Sequence, residues 1–143
     1  MLDNTEKQLL QQIAGISGFQ PGSAFNLRAN GSGVERHSTP QVTIRQKSDK
    51  PGIDIFVAPH TEGEQVHIPV IITESGVNDL VYNDFYIGEG AQVEIIAGCG
   101  IHNDGCDTSQ HDGIHTFHIG KQAHVVYTEN HYGEGNGEGG RIL

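Results

Sequence analysis

The stretch "FYIGEGAQVEIIAGC", which begins at Phe85, returns 32 residues later as "FHIGKQAHVVYTENH", beginning at Phe117. Phe, Ile, Gly, Ala and Val recur at the first, third, fourth, seventh and ninth places, which are the apolar and turn positions. A fainter copy precedes them: "EQVHIPVI" aligns with "AQVEIIAG" when Gln65 is set on Gln92 and Val66 on Val93, an offset of 27. Two-strand units that repeat every 20 to 50 residues or so build stacked coils or propeller blades. A blade needs four strands in about 40 residues, so the repeat predicts a solenoid of parallel β-coils. Period-two alternation then turns Phe85, Ile87, Ala91, Val93 and Ile95 inward, with Phe117, Ile119, Ala123, Val125 and Tyr127 stacked above them. Gly88 and Gly120 are expected at the bends between faces, where a positive φ is cheap for glycine.

The remaining text fits an all-β chain. Beyond Pro51, IDIFVAP, QVHIPVIIT, DLVYNDFYIG, AQVEIIAG, GIHTFHIG and AHVVYTENH follow one another with Gly, Asn or Asp between them, and no helical period survives. Gly makes up 20 of 143 residues, about twice the usual roughly 7 per cent, as frequent turns require. The one helical pattern is residues 3–16, where Leu9, Leu10, Ile13 and Ile16 share a face, Thr5 and Gln8 form a candidate capping box, and Gly18 is the expected stop. Residues 1–50 therefore read as a helix and a loose, turn-rich lead-in that contains a first strand, QVTIRQK, with Val42 and Ile44 on one face. Residues 51–143 read as the β-coil core. The amphipathic helix is the expected cover for one exposed end of the stack, and "GGRIL" at the other end looks like the start of a further strand.

Charge narrows the partners. Eight Lys and Arg against 18 Asp and Glu give a net charge of −10, a field that repels phosphate backbones and excludes nucleic acid. The longest apolar run, Ile68 to Ile72, contains Pro69 and is far short of the roughly 20 residues of a membrane span. The first residues do not read as a secretion signal, so a cytoplasmic location is expected, in which Cys99 and Cys106 are thiols or ligands rather than a disulfide.

Those cysteines sit in "AGCGIHNDGCDTSQHDGIHTFHIG", residues 97–120, together with four histidines. The 32-residue frame sets Cys99 one coil below His131, and adjacent strands lie about 4.8 Å apart, close enough for a thiolate and an imidazole to share one ion. His102, Cys106 and His111 are placed on the loop between coils, and His115 opens the next strand on the face of Phe117. Sulfur with imidazole suits zinc, iron or an iron–sulfur cluster. The spacing of Cys99 and Cys106, with six residues between, matches no zinc knuckle. The other readings are solvated loop histidines beside a small buried cysteine, or a Cys–His catalytic pair. His118 and His124 fall on the solvent-facing parity, and His60 and His67 belong to an earlier coil. "HYGEGNGEGGR", residues 131–141, lacks the Gly-Lys-Ser/Thr ending of a phosphate loop and reads as a coil connection.

"VHIPVIITESG", "VYNDFYIG", "AGCGIHN", "HDGIHTFHIG" and "ENHYGEGNGEGGRIL" together resemble the SufB/SufD family of iron–sulfur cluster assembly proteins, in particular its short SufB-like members from anaerobic bacteria and archaea. The resemblance runs from about Gly22 to the C-terminus, and Val81 to Leu143 is its specific part. It implies a right-handed parallel β-helix, and a non-enzymatic role as the scaffold on which clusters are built. It implies as partner the Suf ATPase subunit, in an assembly of two scaffold and two ATPase subunits, and a homo- or heterodimer with another SufB/SufD-type subunit. Members are often labelled transporter permeases, although nothing in this chain reads as a membrane span.

The chain departs from the family pattern in two ways. Members continue past a position like Leu143 into further coils and a helical segment that holds the ATPase, so this chain is expected to be the N-terminal part of a longer scaffold, without that docking region. The family's best-attested cysteine does not fall on Cys99 or Cys106. The site expectation is therefore the stacking set: Cys99, Cys106 and His131 toward iron or an iron–sulfur cluster, with zinc as substitute, and His102, His111 and His115 as further metal ligands. The alternatives from other classes are a cupin-like metal-dependent enzyme, whose paired histidines "HDGIHTFH" does not match, and a purely structural solenoid that associates with its own copies.

Overall fold

The computed structural model describes residues 2–15 and 22–143. They form one helix, α1 (Asn4–Ala14), and ten strands: β1 (Ala24–Ala29), β2 (Ser32–His37), β3 (Val42–Gln46), β4 (Ile53–Val57), β5 (Glu64–Ile72), β6 (Asn78–Ile87), β7 (Gln92–His102), β8 (Ser109–Ile119), β9 (His124–Glu134) and β10 (Arg141–Ile142). All six segments read as strands beyond Pro51 are strands. The molecule is mostly β, in two mixed five-stranded sheets ordered β2-β1-β5-β7-β9 and β10-β8-β6-β4-β3.

From β4 onward the chain changes sheet at every turn, and every ladder it forms with the strand two places earlier is parallel. A jelly roll, as in cupins, pairs its strands antiparallel, so these ladders are of another kind. The 32-residue frame is the physical register: Phe85 pairs with Phe117, Cys99 with His131, and Ser109 with Arg141. The fainter copy is registered differently. Val66 lies beside Ile95, an offset of 29, rather than beside Val93. The two-residue slip leaves side-chain parity unchanged, so the inward set survives the error.

Between the sheets Ile55, Val66, Phe85, Ala91, Ile95 and their neighbours form one buried cluster, which Ala24, Val42 and Ile44 from the first 50 residues join. Phe117, Ala123, Val125 and Tyr127 pack on it half-buried, while Ile119 is 55% exposed. Phe85 and Phe117 stack with centroids 4.5 Å apart.

Gly88 and Gly120 sit at the turns, but neither has a positive φ. The left-handed residues are His60, Gly90 and Gln122, two positions further on in each turn. Gly88 and Gly120 are needed for closeness instead: an added Cβ would lie 2.5 Å from the Pro59 nitrogen and 2.7 Å from the Ile87 oxygen respectively. The turns are stacked by the same hydrogen bonds as the strands, with Gly90 N–H donating to the Lys121 carbonyl at 2.9 Å.

The lead-in is more ordered than its composition predicts. β1 and β2 form an antiparallel hairpin around Asn30 and Gly31, both at positive φ (49° and 80°). Asn-Gly between strand-like runs is a strong hairpin signal, and here it lies inside text read as loose. β2 and the antiparallel β3 form the first edges of the two sheets, so they, and not α1, close that end of the stack. α1 lies on the outer face of the first sheet, burying Leu9, Leu10 and Ile13 against Leu27 and Ile71. Its cap is Asp3, whose Oδ1 accepts the Glu6 N–H at 2.8 Å while Glu6 accepts the Asp3 N–H at 2.9 Å, one box earlier than Thr5 and Gln8. Gly15 ends it; the expectations on Ile16 and Gly18 lie outside the described residues.

Candidate functional site

β8 and β9 are the last full strands of their sheets, and strict alternation decides which of their side chains face inward. On β8 these are His111, Gly113, His115 and Phe117; on β9 they are Val125, Tyr127, Glu129 and His131, each in register with a counterpart 32 residues earlier. Where the preceding coil has Ala97 and Cys99, this one has Glu129 and His131. The apolar interior thus becomes polar at its last layer.

Two ion clusters reach that layer, the first from earlier coils and the second within it. In the first, Arg28 from β1 reaches across to Asp79 on β6, with Nε and Nη2 donating at 2.8 and 2.7 Å, and His111 Nδ1 lies 3.0 Å from the same carboxylate. Burial works to raise the Asp79 carboxyl, but Arg28 and His111 outweigh it and hold it well below the usual carboxylate range. In the second, Glu129 Oε1 lies 3.6 Å from His131 Nε2 and 3.9 Å from His115 Nε2. The side chains of His115, Glu129 and His131 are 19%, 36% and 44% exposed, so this trio opens toward solvent step by step. Burial lowers the His115 pKa below its usual 6.5, which favours the neutral imidazole with one ring nitrogen free to accept.

Cys99 lies beneath His131 in the β7–β9 ladder, as the repeat predicts, and is 2% exposed. Burial, then the charges of Asp79, Glu129 and Asp112, push its thiol up to about 12, so it is a neutral thiol. A Cys–His catalytic pair, which needs a lowered thiol pKa, finds no support in this environment. The sulfur becomes a ligand only when an arriving metal ion displaces its proton to solvent.

The remaining candidates lie elsewhere. His102 ends β7 and His111 lies within β8, so of the three residues placed on the loop only Cys106 is there, exposed. His102 turns outward, its ring held between Glu134 Oε1 at 2.8 Å and Asp104 Oδ2 at 2.7 Å, contacts that raise its pKa. His111 is occupied by Asp79. The structure therefore brings together Cys99, His115 and His131, and separates them from His102 and Cys106. Glu129 in the layer, and Arg28, Asp79 and Asn83 from the coils before it, were not singled out by sequence, and Tyr127 was placed there only as a packing residue. Glu129 was within reach, since it shares parity with Tyr127 and His131 in the frame that identified both.

Among the described residues no three His, Cys, Asp or Glu side chains are placed so that they could hold a metal ion as they stand. The His115–Glu129–His131 separations exceed by less than an ångström the roughly 3.3 Å between ligand atoms at 2.0–2.1 Å from a tetrahedral metal. The donor chemistry, one thiol with two imidazoles and a carboxylate, fits iron in mixed sulfur, nitrogen and oxygen ligation; it does not fit a four-thiolate cluster. No described helix is long and apolar enough to cross a membrane. Comparison of the chain with protein-family models, curated proteins and solved structures finds no match.

Proposed function

We propose that the chain is part of a scaffold subunit for iron–sulfur cluster assembly, a right-handed parallel β-helix of the SufB/SufD kind that acts in the cytoplasm without being an enzyme. One observation carries the reading: a sulfur and an imidazole, Cys99 on β7 and His131 on β9, are ladder partners across the last two coils, and Glu129 and His115 lie beside His131. The resemblance across Val81 to Leu143 supports it from the sequence side, and the alternation of strands between two sheets through parallel ladders is what a β-helix requires.

Iron and sulfide are the cargo. Cys99 supplies the sulfur anchor once its proton is given up, while His115, Glu129 and His131 supply nitrogen and oxygen donors at the open side. Val70, beneath Cys99 on β5, and the buried Ile72 and Ile101 around it keep water from reaching the thiol from below. The Suf ATPase is the proposed motor, and a second SufB/SufD-type subunit is the proposed dimer partner.

The test is iron and acid-labile sulfide retained by protein reconstituted without oxygen, wild type beside Cys99→Ser and His131→Ala. Both variants are expected to lose most of the sulfide-bound iron. Retention indifferent to both, or none in the wild type, rejects the reading.

A structural role through self-association is the second reading. Half-exposed Phe117, Val125 and Tyr127 on the last inner face favour it, together with the free edge of β9. A dimer that forms equally well without any metal would support it.

A further inference from the structure

We infer that His115, Glu129 and His131 form a site for a single divalent transition-metal ion, bound by two imidazoles and one carboxylate and by no sulfur. The inference goes beyond the scaffold reading, because three such donors hold a cation whether or not a cluster is ever built.

Four features of the layer point to it. One carboxylate oxygen, Glu129 Oε1, lies 3.6 Å from one Nε2 atom and 3.9 Å from the other, so each imidazole is a small side-chain shift from sharing an ion with it. Gly113 keeps the space beside His115 open, since a Cβ there would stand 2.8 Å from His115 Nε2. The Tyr127 hydroxyl is buried beside Glu129, makes no hydrogen bond of full geometry, and is a polar atom that a metal-bound water would satisfy. Two imidazoles with one carboxylate, and positions left for water, are the donor set of open zinc and iron(II) sites.

The empty state has its own proton arrangement. The Ile53 N–H donates to Asn83 Oδ1 at 3.1 Å, which turns Asn83 Nδ2 toward His115 Nδ1 at 3.4 Å. His115 Nδ1 therefore accepts, and the proton of the neutral ring sits on Nε2, aimed at Glu129. Metal binding at Nε2 moves that proton to Nδ1, where the Asn83 amide group is the wrong partner and must turn. A carboxylate at that position would accept from Ile53 and from His115 together, the arrangement that orients metal-bound imidazoles. Asn83→Asp is thus a variant that tightens a metal site and has no reason to tighten anything else.

Cobalt(II) is the probe, titrated without oxygen into the whole chain and followed by its visible ligand-field bands and by sulfur-to-cobalt charge transfer in the near ultraviolet. Expected are saturation at one equivalent, ligand-field bands without charge transfer, and no change in Cys99→Ser. Glu129→Gln should weaken binding at least about tenfold and Asn83→Asp should tighten it several-fold, each with native circular dichroism. Failure to saturate at one equivalent, indifference to Glu129→Gln, weaker binding in Asn83→Asp, or a charge-transfer band lost in Cys99→Ser would each overturn the site. Cobalt binding as described with no sulfide retained would reject the scaffold reading alone; retained sulfide with indifference to Glu129→Gln would reject the site alone.

Discussion

Asp79 is the most heavily committed charge in the molecule: 6% exposed, it is held by two bonds from Arg28 and one contact to His111. Removing Arg28 would leave that buried charge with His111 as its one remaining partner, and breaking such a buried pair costs about 3–5 kcal/mol in comparable sites. Arg28→Ala is expected to lose about that much by chemical denaturation, whereas Val34→Ala, at a side chain 53% exposed, should stay within about 0.5 kcal/mol. Because the folded Asp79 carboxyl lies below its ordinary 3.8, its contribution is complete above that pH and drains away as pH falls below it. An acid-unfolding curve should therefore flatten in Arg28→Ala over that window. The histidines divide in the opposite sense. His102, between two carboxylates, should titrate above 6.5 and His115, half-buried, below it, as ring-proton chemical shifts would report. The His102 contribution is complete below 6.5 and is lost as pH rises through its raised value.

At the scale of elements, α1 is held by what the strand beneath it lacks. Gly98 and Gly100 alternate with Cys99 on β7 and face the helix. A Cβ on Gly98 would stand 2.8 Å from the Asn130 carbonyl and 3.0 Å from Ile13 Cβ, and one on Gly100 would stand 3.2 Å from Leu9. Gly98→Ala is expected to destabilise by about 1–3 kcal/mol and to free α1 for proteolysis before the sheets unfold. The helix itself was legible, since Leu9, Leu10 and Ile13 repeat at helical spacing. Its seat was not, because an apolar stripe does not say which surface it meets. The β6–β9 ladders were legible for a stronger reason: two copies of one pattern fix their own register, and Cys99 over His131 follows from counting. The β5–β7 register was misread because two shared residues, Gln and Val, outweighed a pairing that only packing decides. The hairpin at Asn30–Gly31 was overlooked because its second strand, Ser32–His37, is exposed along its whole length and shows no alternation. Glu129 escaped for a related reason: a carboxylate on an inward position contradicts the apolar pattern, and such contradictions mark sites.

At the scale of the whole molecule, the two ends of the stack differ. The first is closed by antiparallel β2 and β3, which break the run of parallel pairing. At the other, β9 shows a free edge and β10 pairs through only two residues, leaving the inner row of Phe117, Ile119, Val125 and Tyr127 incompletely covered. If this row drives association between copies, Ile119→Lys should lower the dimer fraction in sedimentation while leaving monomer stability within about 0.5 kcal/mol, since Ile119 is more than half exposed.

In the first sheet each of β5, β7 and β9 pairs only with its immediate neighbours, and β9 has a neighbour on one side alone. Order in such a stack passes from layer to layer, as in a one-dimensional chain of coupled units. Backbone amides should therefore exchange with solvent deuterium in a graded series, slowest in β5, faster in β7 and fastest in β9, as the last layer opens without the rest. Filling the final layer with an ion that ties β8 to β9 would slow exchange there first, and would turn the loosest rung of the ladder into one that holds.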